Sequence, residues 1–139
     1  MRKNFGPKTW MYPQPVLILA TYNEDGTPNA MNAAWGCMSD VNQIAIYVDK
    51  RHKTAENILN RKAYTVSMAV ASQMVPCDYV GVVSGNNQPD KFSHTGWTTT
   101  KSEHVDAPVI NELPMTLECK LLSYDEESEL MLGEIVNVS

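Results

Sequence analysis

Asn29-Ala-Met-Asn-Ala-Ala-Trp-Gly-Cys37, followed further on by Asp49-Lys-Arg-His-Lys-Thr-Ala-Glu-Asn57, is the stretch whose reading decides the fold. Its first half alternates small and large residues and ends on a Trp, which predicts a strand running out into a loop. Its second half sets Lys50, Arg51, His52 and Lys53 directly ahead of Thr54, where a helical pattern begins. The head of a helix carries unpaired N–H groups and the positive end of the dipole, so an anion is favoured there. Cations at that end oppose the dipole, an arrangement that makes sense if an anion neutralises them. Each charge-assisted hydrogen bond to a phosphate contributes roughly 1.5–3 kcal/mol, enough to reverse the penalty. The bland alternative is a solvated basic turn between a strand and a helix. With an aromatic pocket beside it, the cluster points to a phosphorylated aromatic cofactor.

Upstream of this stretch, Val16 to Tyr22 is a continuous apolar run that suits a buried strand, and Asp25-Gly-Thr-Pro28 turns it into a hairpin. The return strand, Asn29 to Ala34, has Ala30, Asn32 and Ala34 on one face and Met31, Ala33 and Trp35 on the other. Its three alanines allow a backbone or a flat ring to approach closely. Downstream, Gly36 to Asn42 reads as a polar loop and Gln43 to Val48 as a third strand. A helix follows from Thr54 to about Arg61, capped by Thr54, with Ala55, Ile58 and Leu59 on its apolar face.

Tyr64 to Ala69 is a fourth strand. Ser72 to Ser84 is expected to form a helix with Val75, Tyr79, Val80 and Val83 on one face and Pro76 in its first turn. Gly85 to Leu113 reads as a long loop, of the kind that is functional or poorly ordered. Met115 to Tyr124, the acidic turn Asp125-Glu-Glu-Ser128, and Glu129 to Val138 make a final hairpin. Six strands and two short helices predict a mainly β barrel in a single domain, residues 1–139.

Composition bounds the function. The chain has 139 residues, 43% of them hydrophobic and 19% charged, as in an ordinary globular protein. A formal charge of −5 with few, localised cations argues against nucleic-acid binding. No apolar run is long enough to cross a membrane, and Met1-Arg-Lys-Asn-Phe-Gly-Pro7 lacks the apolar core of a signal peptide, so the reading is cytoplasmic. Cys37, Cys77 and Cys119 are far apart and the histidines are scattered, which argues against a disulfide framework or a structural zinc site. Cys37 reads either as a small buried filler, the favoured reading, or as a reactive thiol. No Ser/His/Asp set, Walker loop or Gly-x-Gly-x-x-Gly is present, and no catalytic side chain is named.

The order Trp10-Met-Tyr-Pro13, Pro15-Val-Leu-Ile-Leu-Ala-Thr-Tyr22, Asn29 to Trp35 and Arg51-His-Lys-Thr-Ala-Glu-Asn57 resembles the flavin reductase/flavoredoxin family over nearly the whole chain. The resemblance implies a six-stranded FMN-binding split β-barrel, usually a homodimer, with FMN bound non-covalently. It implies hydride transfer from NADH or NADPH and onward passage of electrons, with free flavin, oxygen or a redox partner protein as acceptor. It also implies a tail beyond Ser139, so the expectation is a chain shortened at its C-terminus.

Carried over residue by residue, it assigns the flavin ring and ribityl chain to Asn29, Met31, Asn32, Ala33, Ala34, Trp35, Gly36 and Cys37. The phosphate falls to Lys50, Arg51, His52, Lys53, Thr54 and Asn57. Lys91, by default a solvated loop lysine, is set near the ring by an Asp-Lys-Phe stretch. Trp35 keeps two readings, core packing or contact with the ring. Two other function classes stay open: an electron-transfer flavoprotein that never meets nicotinamide, and a non-redox binding module.

Overall fold

The computed structural model describes residues 1–139. Nine strands form: β1 Leu17–Tyr22, β2 Pro28–Ala33, β3 Gly36–Asp40, β4 Gln43–Tyr47, β5 Ala63–Met68, β6 Thr99–Lys101, β7 Pro108–Ile110, β8 Thr116–Asp125 and β9 Leu130–Val138. Two short helices, α1 Lys53–Arg61 and α2 Met74–Val82, join them. Seven strands make one antiparallel sheet in the order β2-β1-β5-β8-β9-β4-β3, and β6 pairs with β7.

This sheet has to curl. Its two edges, β2 and β3, are joined only by Ala34 and Trp35. Three Cα–Cα steps reach about 11 Å, whereas the edges of a flat seven-stranded sheet lie about 29 Å apart. The curled half-barrel is the solution, and the Tyr47 amide closes the corner by donating to the Trp35 carbonyl at 2.9 Å.

Curling makes two cores, one on each face. Leu17 and Leu19 point inward to join Ile44, Ile46, Val48, Ala55, Ile58, Tyr64, Val66, Cys119 and Met131. Ile18 and Ala20 point outward to meet Ala30, Cys77, Val80, Phe92, Trp97, Ile110 and Leu113. The apolar run of β1 is continuous because both of its faces are buried. Along β2 the predicted alternation holds, with Met31 and Ala33 on the inner core and Ala30 on the outer one.

The predicted helix over residues 72–84 forms as α2, with Pro76 in its first turn. It lies across β2 and buries Cys77 and Val80, while Val75, expected on the apolar face, is 76% exposed. All six expected strands are present, and three more join them. The predicted polar loop 36–42 contains β3, an edge strand whose side chains are mostly exposed and therefore leave no alternating pattern. The predicted loop 85–113 carries a 3-10 turn at Lys91–His94 and the β6–β7 hairpin, and covers the outer core with Phe92, Trp97, Ile110 and Leu113. Three-residue strands are too short to show a period.

Behind this cover, Glu118 is 3% exposed and accepts hydrogen bonds from Ser102 Oγ and from Asn137 Nδ2, the latter at 2.7 Å. Burial alone would raise its carboxyl pKa, but these bonds outweigh burial and hold it below the ordinary glutamate value.

Candidate functional site

The start of α1 is where the sequence set its cations, and the structure builds a pocket there. His52 is the N-cap residue and makes no side-chain cap; its carbonyl accepts the Glu56 amide at 3.1 Å. The amides of Lys53, Thr54 and Ala55 precede this first intrahelical donor and form the anion-attracting turn. Thr54 does not cap the helix as predicted. It is 2% exposed, and its hydroxyl accepts from Asn29 Nδ2 at 2.7 Å, because β2 passes directly behind the helix start.

A pocket of about 170 Å³ lies in front of that turn. His52, Lys53 and Thr54 form one wall, Met31 the floor, and the segment from Val80 to Gly85 with Lys91 the opposite side. Gly85 lets the two walls approach: a Cβ there would stand 3.0 Å from Asn29 Oδ1 and 3.1 Å from Lys53 Cβ. Asn29 Oδ1 is itself buried without a hydrogen-bond partner.

Lys91 is not a solvated loop lysine. It is 3% exposed, and its ammonium donates to the carbonyls of Val80 and Val83 at 2.8 Å each. It therefore satisfies the C-terminal carbonyls of α2 and fixes the far wall. Burial pushes its pKa down to about 8.

The remaining cations are paired with acids at the surface. Lys50 meets Glu126, and Lys53 meets Glu56 at 2.9 Å. The Arg51 guanidinium holds Asp49 through Nε at 2.7 Å and depresses that carboxyl to about 2, while its own side chain is 87% exposed. Such exposed pairs are weak and exchange readily for a stronger anion.

Of the residues predicted for the site, the pocket collects Met31, His52, Lys53, Thr54 and Lys91, with Asn29 behind them. Asn57 turns away and donates to Thr21 Oγ1 at 3.1 Å and Asn23 Oδ1 at 2.9 Å. Asn32 donates to the Cys77 carbonyl at 3.2 Å and borders a separate groove of about 440 Å³ with Val16, Val70 and Met74. Ala33 belongs to the inner core, while Ala34 and Trp35 are exposed at the corner between the sheet edges. The core reading of Trp35 fails because β2 ends at Ala33, so Trp35 leaves the strand's phase. Gly36 sits tight against Leu17, where a Cβ would be 2.7 Å from Cδ1. Cys37 is an exposed free thiol and not a buried filler, since the edge strand β3 turns it to solvent.

The wall from Gly81 to Gly85 went unpredicted. The pair Ser84-Gly85 closing an apolar run was its signal, a turn at which the chain comes close to another segment. No group of three or more His, Cys, Asp or Glu side chains is arranged to hold a metal ion.

Comparison with known proteins bears on the family and the fold. Residues 10–139 match the model of the flavin reductase like domain family. The chain is similar to the flavoredoxin of Desulfovibrio vulgaris (Miyazaki F), with 38% identity and a TM-score of 0.93, over 100% of this chain and 76% of that one. The flavoredoxin from Methanosarcina acetivorans shares 26% identity with a TM-score of 0.84, over 100% of this chain and 75% of that one. An FMN-binding domain of a flavin reductases-like enzyme from Shewanella baltica OS155, 22% identical, has the same fold, with a TM-score of 0.84 over 90% of this chain and 68% of that one. No curated protein matches.

Proposed function

Because this chain belongs to the flavin reductase-like domain family, we propose that it binds FMN non-covalently with the phosphate at the start of α1. The observation that carries this reading is the pocket between the α1 N-terminus and Gly85, with its partnerless buried oxygen on Asn29. The residues present fit the group. Free amides of the first helical turn, the Lys53 ammonium and the released Arg51 fork suit a phosphate. The close approach allowed at Gly85 suits a thin polar chain such as ribityl.

Bound there, FMN would supply hydride and electron-transfer chemistry, with NADH or NADPH as the donor and free flavin, a redox protein or oxygen as the acceptor. The chain's own part is to grip, orient and shield. Lys53 and the helix dipole hold the phosphate, and Lys91 fixes the wall that the ligand lies against. No side-chain acid or base is required for hydride transfer, so no catalytic residue is assigned. The protein works as a homodimer in this reading, which is supported by the exposed Met74, Val75 and Val82 of α2 and by Trp10, Met11 and Tyr12. A cytoplasmic setting belongs to the same reading. No helix is long and apolar enough to cross a membrane.

The test is an absorption spectrum after mixing with FMN and gel filtration, followed by NADH or NADPH in the same cuvette. Retained yellow colour that bleaches with a nicotinamide supports the whole reading. Retained colour that does not bleach assigns an electron-transfer role supplied by a partner. A colourless protein overturns the flavin assignment.

A further inference from the structure

Resting on that flavin reading, we propose that Glu24 and Asp25 make the pocket selective for the mononucleotide FMN over the dinucleotide FAD. Lys53 is the wall common to the pocket and to two polar depressions beyond it, of about 350 Å³ and 320 Å³. They adjoin the pocket at Lys53, and Gly85 also lines the larger, so a ligand that continues past its phosphate along the Lys53 side enters one of them. Glu24 borders both, and Asp25 borders the larger.

The cations there are already committed. Lys53, which donates to Glu56 at 2.9 Å, turns to the phosphate when flavin binds, and Arg61 holds Asp106 at 2.9 Å and the backbone carbonyl of Asn23. Glu24 and Asp25, joined by the Glu56 carboxylate that Lys53 leaves, therefore set the sign of the free charge. Neither depression is lined by an aromatic or a branched aliphatic side chain, so an adenine entering it finds nothing to stack on.

The phosphate chemistry sharpens the discrimination. A phosphate monoester concentrates roughly −1.5 to −2 of charge at one point, the helix N-terminus. Joining it to adenylate divides the charge between two phosphates and moves one away from the helix into the acid-walled groove. The dinucleotide loses attraction at the first position and meets repulsion at the second.

Flavin fluorescence quenching, with FMN and FAD as probes, tests this on the wild type and on Glu24→Gln/Asp25→Asn and Glu24→Lys/Asp25→Asn. Glu24 is exposed, and the asparagine that replaces Asp25 keeps a side-chain oxygen for the turn bonds accepted from Thr27. We expect the wild type to bind FMN at least about tenfold more tightly than FAD. The neutral variant should narrow that ratio and the lysine variant should remove it, through FAD affinity alone. Added salt should narrow the wild-type ratio as well. Equal wild-type affinities, or a ratio that ignores both charge and salt, overturns the selectivity proposal and leaves the flavin reading standing. Failure to bind either flavin overturns both.

Discussion

Asn29 and Thr54, far apart in sequence, meet in the buried space between β2 and α1, where the Asn29 amide donates to the Thr54 hydroxyl at 2.7 Å. This bond orients the amide and leaves the Asn29 carbonyl oxygen buried without a partner beside Gly85. One contact thus sets both the helix start and the polarity behind the pocket. Thr54→Val keeps the shape and removes the acceptor. The stranded amide should lower stability by about 1–3 kcal/mol in urea unfolding, and Thr54→Ser should restore most of it. FMN affinity should fall with Thr54→Val and recover with Thr54→Ser.

Phosphate binding should depend on the cations of the helix start in a graded way. Arg51→Ala with Lys53→Ala should weaken FMN binding at least about a hundredfold, since two charge-assisted bonds are lost. Asp49→Asn releases Arg51 from its carboxylate and should strengthen FMN binding severalfold. Fluorescence titration of the three proteins reads both effects.

Lys91 gives a pH signature. Its pKa is about 8 in the folded chain because of burial, against a usual value near 10.4 when unfolded. Between those values the unfolded chain binds more protons, so this group makes stability rise with pH across that window. Urea unfolding at pH 7.5 and pH 9.5 should show the increment in the wild type and lose it in Lys91→Met. The same variant should loosen the α2 C-terminus, visible as faster amide exchange there.

Glu118 acts at the other end of the pH scale. Its depressed folded pKa stabilises the fold above the unfolded glutamate value near 4.3, and that contribution is lost as pH falls through the lower folded value. Ser102→Ala removes one of its donors and should shift the acid unfolding midpoint upward.

Tyr64 and Gly133 face each other inside the barrel, where a Cβ on Gly133 would stand 1.9 Å from the Tyr64 hydroxyl oxygen. That hydroxyl is buried and has no partner. Tyr64→Phe should therefore be neutral or stabilising in a thermal melt. Gly133→Ala should destabilise by about 1–3 kcal/mol or more through overpacking, and Tyr64→Phe should relieve part of that loss.

Sequence made the main strands legible because β1 and β5 bury whole faces and the first half of β8 is largely buried, so they carry apolar runs or alternation. It made the helix start legible because cations stand where the dipole disfavours them. It hid β3, whose side chains face water, and the β6–β7 hairpin, which is too short for a period. Lys91 stayed hidden for another reason. A lysine buried against carbonyl oxygens looks, in one dimension, like any lysine in a polar loop, and only the end of α2 shortly before it tells them apart. Trp35 shows the limit of strand phase, since β2 ends at Ala33 and only one of the two readings its position allows, core packing, is removed by its exposure.

The order of the sheet also sets an order of events on the ribosome. β8 and β9, residues 116–138, lie in the middle of the sheet, between β5 and β4. The β2-β1-β5 block and the β3–β4 hairpin are synthesised earlier, yet share no strand pairing until the β8–β9 hairpin emerges between them. Until then both blocks carry an open edge and a half-covered apolar face, a state that invites chaperone binding. The barrel is closed by its keystone, and the keystone is made after both of the parts it joins.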